Sequence, residues 1–202
     1  MSKLETNTID TVSGTSTLQV GSTNTTTITL GASGDTINIP SGATITNNGT
    51  QTGFGGVNTP AFFATTSAQQ TITNSTDTKI QFANEVVDTD NCYDPSTNYR
   101  FTPTTSGKYF CYLVTSLETS GGLSSANFAL LRFKKNGSLI YQSYHDNSNN
   151  NGFAINLSVN AIIDLNGSSD YLEAFVYANA SSGNLKVQSG QYSLFGAYKI
   201  IE

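Results

Sequence analysis

All 21 aromatic residues of this chain lie at or after Phe54. Upstream of that point Lys3 is the only basic residue, and half of the 18 glycines fall within the first 56 positions. A stretch without aromatics and nearly without charge cannot build an ordinary globular core. The chain therefore divides into a repetitive segment 1–53, a Gly-rich junction 54–59 and a second segment 60–202.

The first segment is built from short apolar pairs. Leu18 and Val20, Ile28 and Leu30, and Ile37 and Ile39 each flank one polar residue. Thr precedes each pair (Thr17, Thr27, Thr36) and Gly or Pro follows it (Gly21, Gly31, Pro40). A weaker copy contains Ile45, and successive copies start 10, 9 and 8 residues apart. Alternation bounded by turn residues predicts short strands joined by tight turns. Two apolar side chains per copy bury too little to offset the ~1–2 kcal/mol cost of ordering each residue. The segment is thus either disordered or one wall of an assembly. Disordered tails carry high charge or much Pro, and this one has little of either. The regular pairs favour a stalk in which identical chains, three around one axis, supply the missing walls. Its core would be Leu18, Val20, Ile28, Leu30, Ile37, Ile39 and Ile45.

The second segment predicts an all-β domain. Residues 153–159 alternate, with Phe153, Ile155, Leu157 and Val159 on one face. Residues 171–177 place Leu172, Ala174 and Val176 on one face and aromatics on the other. Residues 108–114 are apolar on both faces, as in a strand held between a core and a subunit contact. Asn136-Gly137 predicts a two-residue hairpin turn, because Asn-Gly tolerates the positive φ angles of type I′. Asn166-Gly167 is a second turn, and the last strand spans about 192–201. Many short strands with frequent turns indicate a sandwich or jelly roll.

Composition removes several classes. Charged residues are 11% of the chain, against ~25% in typical domains. Nine basic and 14 acidic residues give a net charge of −5 with no basic patch, which disfavours nucleic acid. No apolar run is long enough to insert in a membrane, and residues 1–6 have no apolar leader core. The two cysteines, Cys92 and Cys111, are too few for a disulfide framework and are expected as buried free thiols. No zinc, phosphate-loop or nucleophile-elbow motif is present, so no catalytic residue and no cofactor are expected.

Three sets of candidate site residues remain. The stretch around the single histidine is expected as a polar loop offering an aromatic face and many donors and acceptors, which suits sugar hydroxyls. Its candidates for receptor contact are Tyr144, His145, Asp146, Asn147, Asn149, Asn150 and Asn151. Glu85, Asp88, Asp90 and Asp94 gather within ten residues. Ca²⁺ takes such oxygen ligands, and Asp88, Asp90 and Asp94 are the first candidates, although a solvated acidic loop is the simpler reading. Tyr109, Phe175, Tyr177, Tyr192 and Tyr198 are the candidates for the threefold contact of the head, with the remaining aromatics expected in the core.

The second segment resembles the globular heads of complement-subcomponent and tumour-necrosis-factor-like proteins. Ala61-Phe62-Phe63-Ala64 resembles their first strand. Tyr93-Asp94, then Phe101-Thr102-Pro103, resemble their Tyr-Asp turn and Phe-Thr-x-Pro segment. Ser106-Gly107-Lys108-Tyr109-Phe110 is similar to a Pro-Gly-x-Tyr-x-Phe strand, with Ser in place of Pro. Lys135-Asn136-Gly137 resembles their Lys-Asn-Gly hairpin. The ending Tyr192-Ser193-Leu194-Phe195-Gly196-Ala197-Tyr198 is similar to their final Phe-x-Gly-x-x-Leu strand. The resemblance implies a ten-stranded jelly roll that trimerises. Strings such as 7–15 and 34–42 resemble the N-terminal parts of tailed-bacteriophage fibre proteins. Together these imply a non-enzymatic virion fibre or spike, assembled in the bacterial host cytoplasm. It would be a homotrimer held to another virion protein by its N-terminal segment, its head recognising a host surface glycan or protein. A capsid decoration or collar fibre is the first alternative, and a bacterial surface or spore-coat protein the second.

Replacing both Ile28 and Ile37 with Asp would place charges inside a packed stalk. The expected result is a trimer melting temperature lower by about 5 °C or more. An unchanged melting curve would refute the packed stalk.

Overall fold

The computed structural model describes residues 18, 20–21, 23–49, 58–119, 126–147 and 154–200. The chain divides into two units, Met1–Thr52 and Gly53–Glu202. Residues 54–57 of the expected junction lie outside the described residues.

In the first unit, turns fall at residues 23–24, 33–34 and 41–42, between the apolar pairs. They are closed by bonds such as Asp35 N–H to the Ala32 carbonyl (3.0 Å) and Ala43 N–H to the Pro40 carbonyl (3.1 Å). The expected strands do not form among its described residues. A strand needs a neighbouring strand to pair with, and no strand pairing forms in this unit among its described residues.

The second unit holds thirteen strands among its described residues. They are β1 (Ala61–Thr66), β2 (Gln70–Thr71), β3 (Thr78–Lys79), β4 (Asn84–Asp88), β5 (Tyr93–Asp94) and β6 (Arg100–Phe101). There follow β7 (Gly107–Thr119), β8 (Ala126–Lys135), β9 (Ser138–Asp146), β10 (Ile155–Leu165), β11 (Leu172–Ala180), β12 (Leu185–Val187) and β13 (Gly190–Lys199). The count exceeds the expected ten because the connection from β1 to β7 breaks into short pairings. A first sheet runs β4-β1-β13-β7-β10, with β12 and β2 beside the far half of β7. A second runs β5-β6-β11-β8-β9, with β3 also on β11. All pairings are antiparallel.

The core lies between the sheets. Alternation sends Leu172, Ala174, Val176 and Ala178 of β11 inward to meet Tyr109, Cys111, Leu113 and Leu117 of β7, all of them buried. Aromatic rings fix the centre. Phe62 stacks on Tyr93 and on Phe101, each at 4.6 Å, and meets Phe195 edge-on at 4.8 Å. The two buried phenols find partners: Tyr93 donates to the Phe82 carbonyl (3.0 Å) and Tyr109 to the Thr105 carbonyl (2.5 Å). Burial pushes the Tyr109 hydroxyl up to about 12. Cys92 and Cys111 are buried free thiols, and burial raises both above the ordinary thiol range.

Side-chain bonds hold the turns to this frame. Asn136 and Gly137 both have positive φ and form the two-residue link between β8 and β9. The Asn136 amide donates to Asp170 (2.8 Å) and accepts from Tyr171 N–H (2.9 Å), which pins this hairpin to the start of β11. In the next turn the Asn166 side-chain oxygen accepts from the N–H groups of Ser168, Ser169 and Asp170. Gly167, with φ +70°, lies against the backbone of Thr105 and Ser106, and a Cβ there would meet Ser106 N at 2.2 Å.

Three carboxylates are tied into the fold. Asp94 accepts from the backbone N–H groups of Thr97, Ser96 and Asn98, which hold its carboxyl well below the usual range. Burial alone would raise Asp77, but Lys134 and Arg132 outweigh it and lower the carboxyl. Lys135 and then Asn136 lower Asp170.

Two results are expected. Gly167→Ala forces Cβ into backbone and should cost about 2 kcal/mol or more in urea unfolding; an unchanged midpoint would contradict the close approach. The folded pKa values of Asp77, Asp94 and Asp170 lie below their unfolded value of ~3.9. Their stabilisation is therefore full above the unfolded value and lost as pH falls through the folded ones. The urea midpoint should drop from about pH 5 toward pH 2. Asp94→Asn should lower stability at neutral pH and shrink that drop, whereas a pH-independent midpoint would contradict these assignments.

Candidate functional site

The outward face of the first sheet is apolar along its centre. Cross-strand register places Ala61, Tyr198, Phe110 and Ile162 in one row. The next holds Val87, Phe63, Gly196 and Tyr112, and a third holds Leu194 and Val114. Phe110 packs against Tyr198 at 5.5 Å and Tyr112 at 6.3 Å. Tyr112 lies directly over Gly196, where a Cβ would come within 2.3 Å of the ring. Glycine lets the ring lie flat, and burial raises the Tyr112 hydroxyl, with Tyr198 adding to the shift. Val87, Ile162 and Tyr198 remain exposed. Beside this face, Leu139 and Tyr141 of β9 and Ile162 of β10 form an exposed apolar rim.

This arrangement redistributes the five aromatics expected at a head contact. Tyr198 lies on the apolar face, and Tyr192 lies on the same side of β13 but six positions nearer its start. Tyr109 points the other way and is fully buried against Phe101, so it belongs to the core. Phe175 and Tyr177 lie on β11, in the opposite sheet, so they cannot share a face with Tyr198. Strand alternation within one segment does not reveal which sheet the segment joins. Phe110, Tyr112, Val114 and Ile162, which line this face, were not among those five, although the two-sided apolar pattern of 108–114 pointed to a second apolar face on that strand.

The outward face of the second sheet has a different chemistry. Lys134 and Lys79 lie over the Phe175 ring at 4.1 and 5.8 Å, and Arg132 lies over Tyr177 at 5.2 Å. Asp77 pairs with Arg132 and with Lys134, and Glu173 pairs with Lys79. Phe128 stacks on Tyr177 at 5.9 Å and contacts Tyr144 at 5.7 Å. Each cation is used twice, on a ring and on a carboxylate.

The expected receptor loop is partly strand. Tyr144, His145 and Asp146 end β9, in register with Leu130, Ala129 and Phe128. Cross-strand pairing overrides their polar character. Tyr144 is exposed on the outward face, but Asn147 is buried, its amide donating to the Ala126 carbonyl (3.0 Å). These four therefore do not form a solvated loop tip. Asn149, Asn150 and Asn151 lie outside the described residues.

The acidic candidates also turn toward their own backbone. Asp88 accepts from the N–H groups of Asp90, Cys92 and Tyr93, and Asp90 accepts from the Thr89 hydroxyl. Asp94 is saturated by the turn that follows it. Among the described residues no group of three or more His, Cys, Asp or Glu is placed to hold a metal ion. In the first unit Leu18, Val20, Ile28, Leu30, Ile37, Ile39 and Ile45 are each 46–66% exposed.

No family model matches this chain, and no curated protein does. Solved structures do. A tumour necrosis factor, Eiger, from S. frugiperda superposes with a TM-score of 0.52 at 11% identity, covering 69% of this chain and 91% of that one. The globular domain of zebrafish complement 1qA gives 0.50 at 17% identity, covering 70% and 97%. Murine APRIL gives 0.51 at 10% identity, covering 69% and 98%. The two-sheet head thus has the jelly-roll fold of tumour necrosis factor and complement 1q domains.

Proposed function

We propose that this chain is the subunit of a homotrimeric, non-enzymatic fibre of a tailed-bacteriophage particle. The N-terminal unit gives reach and attachment to another virion protein, and the head recognises a host surface glycan. The observation that carries the assembly is the apolar outward face of the first sheet, with Phe63, Phe110, Tyr112, Val114, Leu194 and Tyr198 on one side. An apolar surface of this continuity on a folded domain marks an interaction site. The exposed Leu139, Tyr141 and Ile162 rim offers a second surface for a neighbouring subunit. The seven exposed apolar side chains of the first unit support the same conclusion, since only other copies restore a core there.

Trimerisation multiplies weak contacts. Three sites on one rigid unit raise avidity far above single-site affinity when the spacing on the host surface matches. The reading of a non-enzyme draws on the likeness of the head to tumour necrosis factor and complement 1q domains. The phage setting is supported by the resemblance of residues 7–15 and 34–42 to fibre stalks.

Light scattering after size exclusion tests the assembly. The full chain is expected at three times its 21.4 kDa mass. Phe110→Asp should give monomers with an unchanged strand signature in circular dichroism, because the side chain faces away from the core. A monomeric wild-type chain, or a trimer undisturbed by Phe110→Asp, would overturn this contact.

A further inference from the structure

The first sheet carries a second feature at the end remote from the point where the chain enters the head. Pro60 accepts from Lys199 N–H (3.1 Å) at one end of β1, and Thr66 pairs with Gly190 at the other. Around that second end Gln69, Glu118, Gln188, Ser189 and Tyr192 enclose a cleft of about 230 Å³. Its parts come from β7, from the start of β13 and from the segments flanking β2 and β12.

The polar groups of the cleft are held in place before any ligand arrives. Gln69 donates to one oxygen of Glu118, and Gln188 donates to the other at 2.7 Å. Gln188 is itself fixed, its N–H donating to the Ser116 carbonyl (2.9 Å) and its carbonyl accepting from Thr66 (3.0 Å). Each amide has a second N–H and a carbonyl oxygen, and the carboxylate has further lone pairs. Tyr192 adds an aromatic ring that is 54% exposed. Lys186 pairs with Glu118 in strand register but makes no ion pair with it among the described residues.

We propose that this cleft binds one uncharged sugar ring at the end of a host glycan; this rests on the glycan recognition proposed above and locates it. A sugar hydroxyl both donates and accepts, so it matches a carboxylate flanked by amides. The C–H face of a pyranose packs on a ring such as Tyr192, which presents an apolar body. The cleft is smaller than the ~300–1,000 Å³ pockets that enclose a drug-sized ligand, so it accepts one ring and leaves the rest of the chain outside. Among the described residues Glu118 is the only charged one lining it. It therefore discriminates against uronic and sialic acids, whose carboxylates would face it.

Saturation-transfer NMR on the full chain tests this, with the methyl glycosides of glucose, galactose, mannose and N-acetylglucosamine as probes. Glucuronic and N-acetylneuraminic acid serve as charged comparators. At least one neutral glycoside is expected to bind, with both acids about tenfold weaker or worse. Glu118→Gln, which keeps the shape, and Tyr192→Ala should each weaken it by about tenfold, the effect of losing one charge-assisted bond or one packed ring. The mass by light scattering and the melting temperature should stay as in the wild type. Binding unchanged in both variants would overturn the cleft while leaving glycan recognition standing elsewhere. Equal binding of the acids would overturn the uncharged class. Saturation transfer from none of the sugars would overturn the cleft, and with no binding to whole polysaccharide it would overturn the glycan reading too.

Discussion

A strand in a two-layer sandwich has one face toward the core and one toward the outside, and only the first is buried by folding. Strand β7 is apolar on both. Tyr109, Cys111, Leu113 and Leu117 fill the interior, while Phe110, Tyr112 and Val114 point outward. Its neighbours repeat the pattern, with Phe63 on β1, Leu194 and Tyr198 on β13 and Ile162 on β10. Folding alone leaves this second apolar layer uncovered, and it lies at the sheet's centre rather than at an edge.

The other sheet solves its surface differently. Its aromatic side chains are roofed by Lys79, Arg132 and Lys134, and those cations are balanced by Asp77 and Glu173. The charged groups themselves sit over the negative ring faces and are held there by the carboxylates they pair with. In a chain with so few charges, placing them here makes one face self-contained. The two sheets thus present outward faces of opposite chemistry.

Much of this was legible in the sequence. The Asn136-Gly137 hairpin follows from local turn chemistry, and the inward set on β11 follows from alternation. The all-β class follows from composition and turn spacing. What escaped depends on pairings across long separations. Tyr109 and Phe110 differ by one position, and only the identity of the facing sheet decides which is core. Tyr144, His145 and Asp146 read as loop because their polarity was visible and their register with β8 was not. Asp88 and Asp94 looked available to a cation because nothing local showed how many backbone N–H groups would claim them. The cleft was invisible for the same reason, since Gln69, Glu118 and Gln188 meet only through the order of β2, β7, β12 and β13.

The two cysteines give the head a property that its strands alone would not. Neither is paired, both are buried, and the thiols are shifted away from the reactive thiolate form. No covalent cross-link holds the sandwich, and no exposed sulfur is offered for oxidation among its described residues. The folded head therefore rests on packing and hydrogen bonding, with both thiols shielded inside it.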